Sequence, residues 1–198
     1  CIPDTFWIER AINKFNEGCD RIAGHIDIFP TDVNPNIAEL YDMTFGFDQQ
    51  ISAMNGLSVT ANMFARKSLF DEYGKFKSSL FSGGDTEWSR RVHSKGIGIN
   101  YEPEVIVRHP ARKSLKDLFN KRYRVSAKKS IIYVQKLKKN PTPKFMIYKK
   151  RMLYLFFSKH SLHKGIAVII VAFLLKLYSI LVKFFFNSTT LINKSFKK

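Results

Sequence analysis

Apolar side chains recur at helical spacing near the start of the chain. Phe6, Trp7, Ile8, Ala11, Ile12 and Phe15 predict an amphipathic helix over residues 4–17. Ile22, Ile26, Ile28 and Phe29 predict a strand over 21–29, followed by a turn-rich break between Pro30 and Pro35. Residues 36–48 read as a helix or an ordered loop. A strand is predicted over 57–65, then a short helix over 66–73 that Gly74 ends. After a loop at 78–83, the pattern predicts a helix over 85–95 ended by Gly96, then short strands at 97–101 and 104–108 on either side of Pro103. Such alternation is the signature of an α/β layout. From Ser114 the texture changes. Leu115, Leu118, Phe119, Tyr123, Val125, Ile131 and Val134 predict a long basic helix over 114–139, which Pro141 and Pro143 break. Residues 144–158 mix Phe, Met, Tyr and Leu with Lys149, Lys150 and Arg151.

Gly165 then opens an apolar run, Ile166 to Phe186, interrupted by Lys176 and Lys183. About 20 apolar residues span a bilayer core, and a central lysine costs about 2.5–3.5 kcal/mol on insertion. The two lysines lie on one helix face, which suits a helix lying in the membrane plane as well as one crossing it. Both modes stand on the sequence, beside a buried helix of an ordinary domain.

Charge divides the chain in the same place. The 198 residues carry a net charge of +17. Residues 1–107 hold 10 Lys+Arg against 15 Asp+Glu, whereas residues 108–198 hold 23 Lys+Arg and a single acid, Asp117. That asymmetry points to an anionic partner for the second part. Aromatic rings interleave with basic residues across 119–157, as a nucleic-acid surface requires. The adjoining apolar run favours anionic membrane lipid over nucleic acid. Two cysteines, Cys1 and Cys19, provide no disulfide framework or metal set.

The most informative stretch is Gly83-Gly84-Asp85-Thr86-Glu87-Trp88-Ser89-Arg90-Arg91. Paired glycines precede an acidic pair that opens a helix, where the dipole favours negative charge. A carboxylate on a glycine loop at a helix mouth is a common presentation of a catalytic base. An ordinary acidic first turn is the competing reading.

The surroundings carry a resemblance. Upstream stand Gly56 to Lys67 with Asn62 and a basic pair, then Phe70 and Gly74-Lys75-Phe76. Downstream stand Tyr101-Glu102-Pro103, Val107-Arg108-His109 and Arg112-Lys113-Ser114. This order, over residues 54–125, resembles the family 2 glycosyltransferases, inverting enzymes of the GT-A fold that use nucleotide-sugar donors. The implied fold is the C-terminal part of a GT-A domain followed by basic and apolar α-helices. Its divisions are a catalytic, acceptor-side region over 1–113, a basic helix and linker over 114–143 and a membrane-associating region over 144–198. The resemblance implies Asp85 as general base, with Glu87, Asn62, Trp88 and Arg112 toward substrate. It implies support from Arg91, Gly83 and Gly84, and His109 near a divalent metal, Mg or Mn. The implied partners are a nucleotide-sugar donor, a carbohydrate or lipid-linked acceptor and anionic lipid, at the cytoplasmic face of a membrane. Cys1 to Ile8 look like the segment that follows the family's Asp-x-Asp motif, so the main metal ligands are expected upstream of Cys1. Two positions depart from the pattern: Gly84 stands where the family has Glu, and Thr60 where Gly is frequent. The alternative function is a non-catalytic basic protein that binds membrane or nucleic acid.

Overall fold

The computed structural model describes residues 1–127 and 162–195, with side chains in the last helix placed through Phe185. The elements are β1 (Ile2–Pro3), α1 (Trp7–Asn16), β2 (Arg21–Phe29), α2 (Ile37–Phe45), α3 (Gln49–Met54), β3 (Met63–Ala65), α4 (Lys67–Tyr73), α5 (Gly84–His93), β4 (Asn100–Pro110), α6 (Leu115–Ser126) and α7 (Leu162–Ser195). They form a mixed α/β structure around a four-stranded sheet in the order β1-β4-β2-β3. The central pair β2 and β4 is parallel, and the two short edge strands pair antiparallel. A parallel pair needs cover on both faces. Ile22, Ala23, Ile26 and Ile28 of β2 and Val105 and Val107 of β4 are accordingly buried.

Pro103 does not split the region into two strands as expected. β4 runs continuously from Asn100 to Pro110, and the irregularity is a bulge: Gly24 opposes Glu102, while His25 opposes Ile106. Pro103 lacks the N–H that a ladder needs, so it falls where pairing is interrupted. The bulge leaves carbonyls without ladder partners, and Asn62 takes them, donating from Nδ2 to His25 O at 2.7 Å and to Val105 O at 2.8 Å. Gly24 makes room for that carboxamide, since a Cβ there would lie 2.4 Å from Asn62 Nδ2.

The expected strand over 57–65 is also different. Only Met63–Ala65 pairs with β2, behind a 3₁₀ turn at Thr60–Asn62. The cause is Gln49, which is buried and binds this backbone through its side chain. Its Nε2 donates to Asn62 O at 2.8 Å and Val59 O at 3.2 Å, and its Oε1 accepts from Val59 N–H at 3.0 Å. A backbone satisfied by a side chain has no ladder to join. Residues 36–48 hold one helix, α2, and the cap of the next. α2 begins with an Asn36–Glu39 capping box and ends at Gly46; α3 restarts with Asp48 accepting from Ile51 N–H.

α4 ends at Gly74 with φ +77°, and Gly96 follows α5 with φ +86°. α6 packs with α7 against α2: Ala38, Leu40 and Tyr41 meet Leu118 and then Val168, Val171 and Leu175 in one apolar cluster. The expected helix over 114–139 is described only through α6. Its remainder, the proline break and residues 144–158 lie outside the described residues.

Candidate functional site

The sheet and its helices leave a cleft of about 420 Å³. It is lined by the Gly83–Thr86 mouth of α5, by Thr60 and Ala61 beside it, and by the cations Arg90, Arg112, Lys121 and Arg124. Gly83 adopts φ +81°, a left-handed conformation that suits glycine, and turns the chain into α5. Asp85, half-buried in the first turn, therefore faces the cleft. Its Oδ2 accepts from Thr60 N–H at 3.2 Å and its Oδ1 from Thr86 N–H at 2.7 Å. Two backbone donors thus orient the carboxylate and leave lone pairs free for another proton.

Glu87 reaches the same cleft but is only 5% exposed and is already engaged. Arg91 grips it with Nε at 3.2 Å and Nη2 at 3.0 Å, and Lys77 Nζ lies at 3.2 Å. Burial raises its pKa, but the hydrogen bonds from Arg91 and Lys77 outweigh that and hold the carboxyl below its ordinary value. Arg91 also donates to the carbonyls of Tyr73, Gly74 and Lys75. The Glu87–Arg91 pair therefore ties α5 to the Gly74 turn.

Two residues expected at the substrate are enclosed instead. Trp88 is 0% exposed, stacked on Phe70 at 4.3 Å, with Nε1 donating to Gly74 O. It is a core residue and presents no ring to a sugar. Asn62 is 1% exposed, and its Oδ1 accepts from Trp7 Nε1 at 2.9 Å, so every arm of its carboxamide is occupied within the fold. Arg112 does line the cleft, anchored by Asp42 on α2. His109 stands at the end of β4 with its ring edge on Phe47, itself a cleft residue. His109 Nδ1 lies 2.8 Å from Pro110 O. A carbonyl only accepts, so Nδ1 donates to it and Nε2 is the ring nitrogen left for another partner. That is one nitrogen donor. Among the described residues no group of three or more His, Cys, Asp or Glu converges on a metal position. These described residues do not by themselves make up a divalent-cation site.

Sequence reasoning missed three organising residues. Asp42, 0% exposed, accepts from Arg112 Nη1 at 2.7 Å, Arg112 N–H at 3.2 Å and Lys121 Nζ at 3.4 Å. An acid inside the apolar run of α2 was the available signal. Arg21, also 0% exposed, donates to the carbonyls of Ile97, Gly98, Ser89 and Gly56, joining α5 to the loops on either side. Its burial pushes its pKa down to about 10. Lys121 lies 4.6 Å over the Phe47 ring, and burial pushes its pKa down to about 8 despite the opposing pull of Asp42.

That shift has a sign. Lys121 ordinarily titrates at 10.5, so between about pH 8 and 10.5 the unfolded chain holds a proton that the folded chain has lost. Folding stability contributed by this group therefore rises with pH across that window. The expected outcome is a urea midpoint that climbs from pH 8 to 10 more in the native chain than in Lys121→Met.

With the geometry established, the comparisons bear on it. No family model matches the chain. The chain is, however, similar to a glycosyltransferase, an enzyme class that moves a sugar from a donor to an acceptor. The relative is Glycosyltransferase AglE of Haloferax volcanii, 31% identical over 128 residues, a match that covers 63% of this chain and 41% of that protein. The chain thus spans less than half the length of that relative. Separately, Leu162–Phe185 is long and apolar enough to cross a membrane, by length and composition. This gives modest support to membrane association.

Proposed function

We propose that this chain is the acceptor-side part of an inverting glycosyltransferase of family 2 with a GT-A fold, working at the cytoplasmic face of a membrane. It transfers a sugar from a nucleotide-sugar donor to a carbohydrate or lipid-linked acceptor. The observation that carries the reading is the placement of Asp85: a carboxylate oriented by Thr60 N–H, in a cleft that Arg112, Lys121 and Arg124 also line. The similarity to a named glycosyltransferase supports it.

Inversion is one in-line displacement at the anomeric carbon. The acceptor oxygen forms its bond to that carbon as the bond to the leaving phosphate oxygen breaks. Asp85 takes the hydroxyl proton as the oxygen gains bonding, which makes the oxygen a better nucleophile. The departing nucleoside diphosphate carries negative charge. Arg112 and Lys121, held by Asp42, supply fixed positive charge in the same cleft and stabilise it as it forms. Glu87 and Arg91 fix the pitch of α5 and hence the aim of Asp85.

Membranes that hold the full-length protein, given a panel of labelled nucleotide sugars, should incorporate label from one donor into carbohydrate or lipid-linked product, with release of a nucleoside diphosphate. Failure of every donor to label any product above membranes lacking the protein would overturn the reading.

A further inference from the structure

α7 is apolar around its whole circumference, yet its two sides meet different surroundings. Val168, Val171, Leu175, Ser179 and Val182 are all under 10% exposed and recur at three- and four-residue spacing, one stripe against the domain. This stripe packs on α2 and α6. Polar contacts fix it there: Ser179 Oγ lies 2.7 Å from Ser126 Oγ, and Lys164 Nζ donates to Asn34 Oδ1 at 2.6 Å and to Pro35 O. On the opposite side Ile166, Ile170, Phe173, Leu177, Ile180 and Phe184 are 44–67% exposed and have the same helical spacing. Among the described residues no packed apolar cluster includes Ile166, Ile170, Phe173, Leu177 or Ile180.

Length does not decide how this face meets a membrane. The 24 residues from Leu162 to Phe185 extend about 36 Å, enough to cross a core of about 30 Å. Packing does decide it. The docked stripe from Val168 to Val182 covers most of that length. A crossing α7 would carry α6 and α2 into hydrocarbon, with Lys121, Arg122 and Asp42 among their side chains. Intramembrane charges on that scale are strongly disfavoured. A helix lying in the membrane plane keeps the domain in water and buries only the outer face.

Charge identifies the occupant. Lys176 and Lys183 are exposed and, at about 100° per residue, fall together on the boundary between the docked stripe and the outer face. From there their stems run along apolar surface and their ammonium groups reach the level of lipid phosphates. The surrounding region, residues 108–198, has 23 Lys+Arg against one acid. A second copy of α7 would set like charges against each other; an anionic bilayer surface complements them.

We infer that α7 is an in-plane membrane anchor, its Ile166–Phe184 face seated in the acyl boundary of an anionic bilayer and Lys176 and Lys183 at the headgroups, holding the domain against the membrane surface. This does not depend on sugar transfer.

The test uses the full chain with Cys1→Ser and Cys19→Ser, carrying one environment-sensitive fluorophore on Ile170→Cys, Leu177→Cys or Phe184→Cys. It is mixed with phosphatidylcholine vesicles containing phosphatidylglycerol and lipids bearing a quencher near the headgroup or near the chain end. All three positions should be quenched alike by the shallow label and little by the deep one. A profile in which Leu177 is deepest would overturn the inference in favour of a crossing helix. Absence of quenching at all three would overturn it in favour of a face covered by protein. Phe173→Glu with Leu177→Glu alters exposed positions only, so circular dichroism should be unchanged while vesicle binding falls more than about ten-fold. Lys176→Gln and Lys183→Gln should each lower binding to anionic vesicles about five-fold and leave binding to neutral vesicles unchanged. Equal losses on both vesicles would contradict the assigned headgroup contact.

Discussion

Replacing Asp42 with alanine should lower the folding free energy by about 3–5 kcal/mol, the usual consequence of removing one partner from a buried charge cluster. The carboxylate is 1% exposed and receives Arg112 through both side chain and backbone as well as Lys121. Its loss leaves two cations near one another, each with only about a fifth to a quarter of its side chain in water, at 19% and 24%. They then repel each other and lack a shared counter-charge. Because Arg112 follows β4 and Lys121 belongs to α6, the substitution also loosens the cationic wall of the cleft. Asp27 provides the comparison. Its carboxylate is 53% exposed and lies 3.6 Å from an equally open Arg108, so Asp27→Ala should cost less than about 1 kcal/mol. Urea unfolding of both variants checks the pair. Equal midpoints for Asp42→Ala and the native chain would show that the cluster does not hold these elements together.

Local patterning made much of the fold readable. The apolar spacing of Trp7 to Phe15 and of Ile22 to Phe29 matches α1 and β2, because each element buries apolar side chains of its own in the core. Gly74 and Gly96 announce helix ends because both adopt positive φ. What escaped was long-range partnership. The alternation of Leu57, Val59 and Ala61 looks like a strand, but nothing in that stretch reveals that Gln49 will occupy its backbone. Pro103 marks an interruption without saying whether the strand stops or bulges, and the answer lies about 40 residues away in Asn62. Asn62 and Trp88 share that history. Both sit beside the acidic motif in space or sequence, and only the packing shows that they brace it from within. The partners of Asp42 and Arg21 stand on other elements, which local sequence does not reveal. The place of Asp85 at a helix mouth was legible because its signals are local: two glycines, an acid and a helix start.

Asp85→Asn should cut sugar transfer by about 10²- to 10⁴-fold, the range that a positioned base contributes. The substitution is close to isosteric. An asparagine has one acceptor oxygen, so it keeps one of the two backbone bonds, from Thr86 N–H or Thr60 N–H, and turns its NH2 away from the other. What disappears is a group able to take the acceptor proton. The site is half-buried and one hydrogen bond is lost, so stability should fall by no more than about 1 kcal/mol. Glu87→Gln separates chemistry from scaffolding, because it weakens the Arg91 and Lys77 contacts and should show first as lost stability. The most direct measurement is the initial rate of label transfer from the active nucleotide-sugar donor, in membranes holding matched amounts of native protein and Asp85→Asn. A loss of at least about 100-fold is expected in a variant that stays folded at the assay temperature. A folded Asp85→Asn that transfers sugar at the native rate would contradict it.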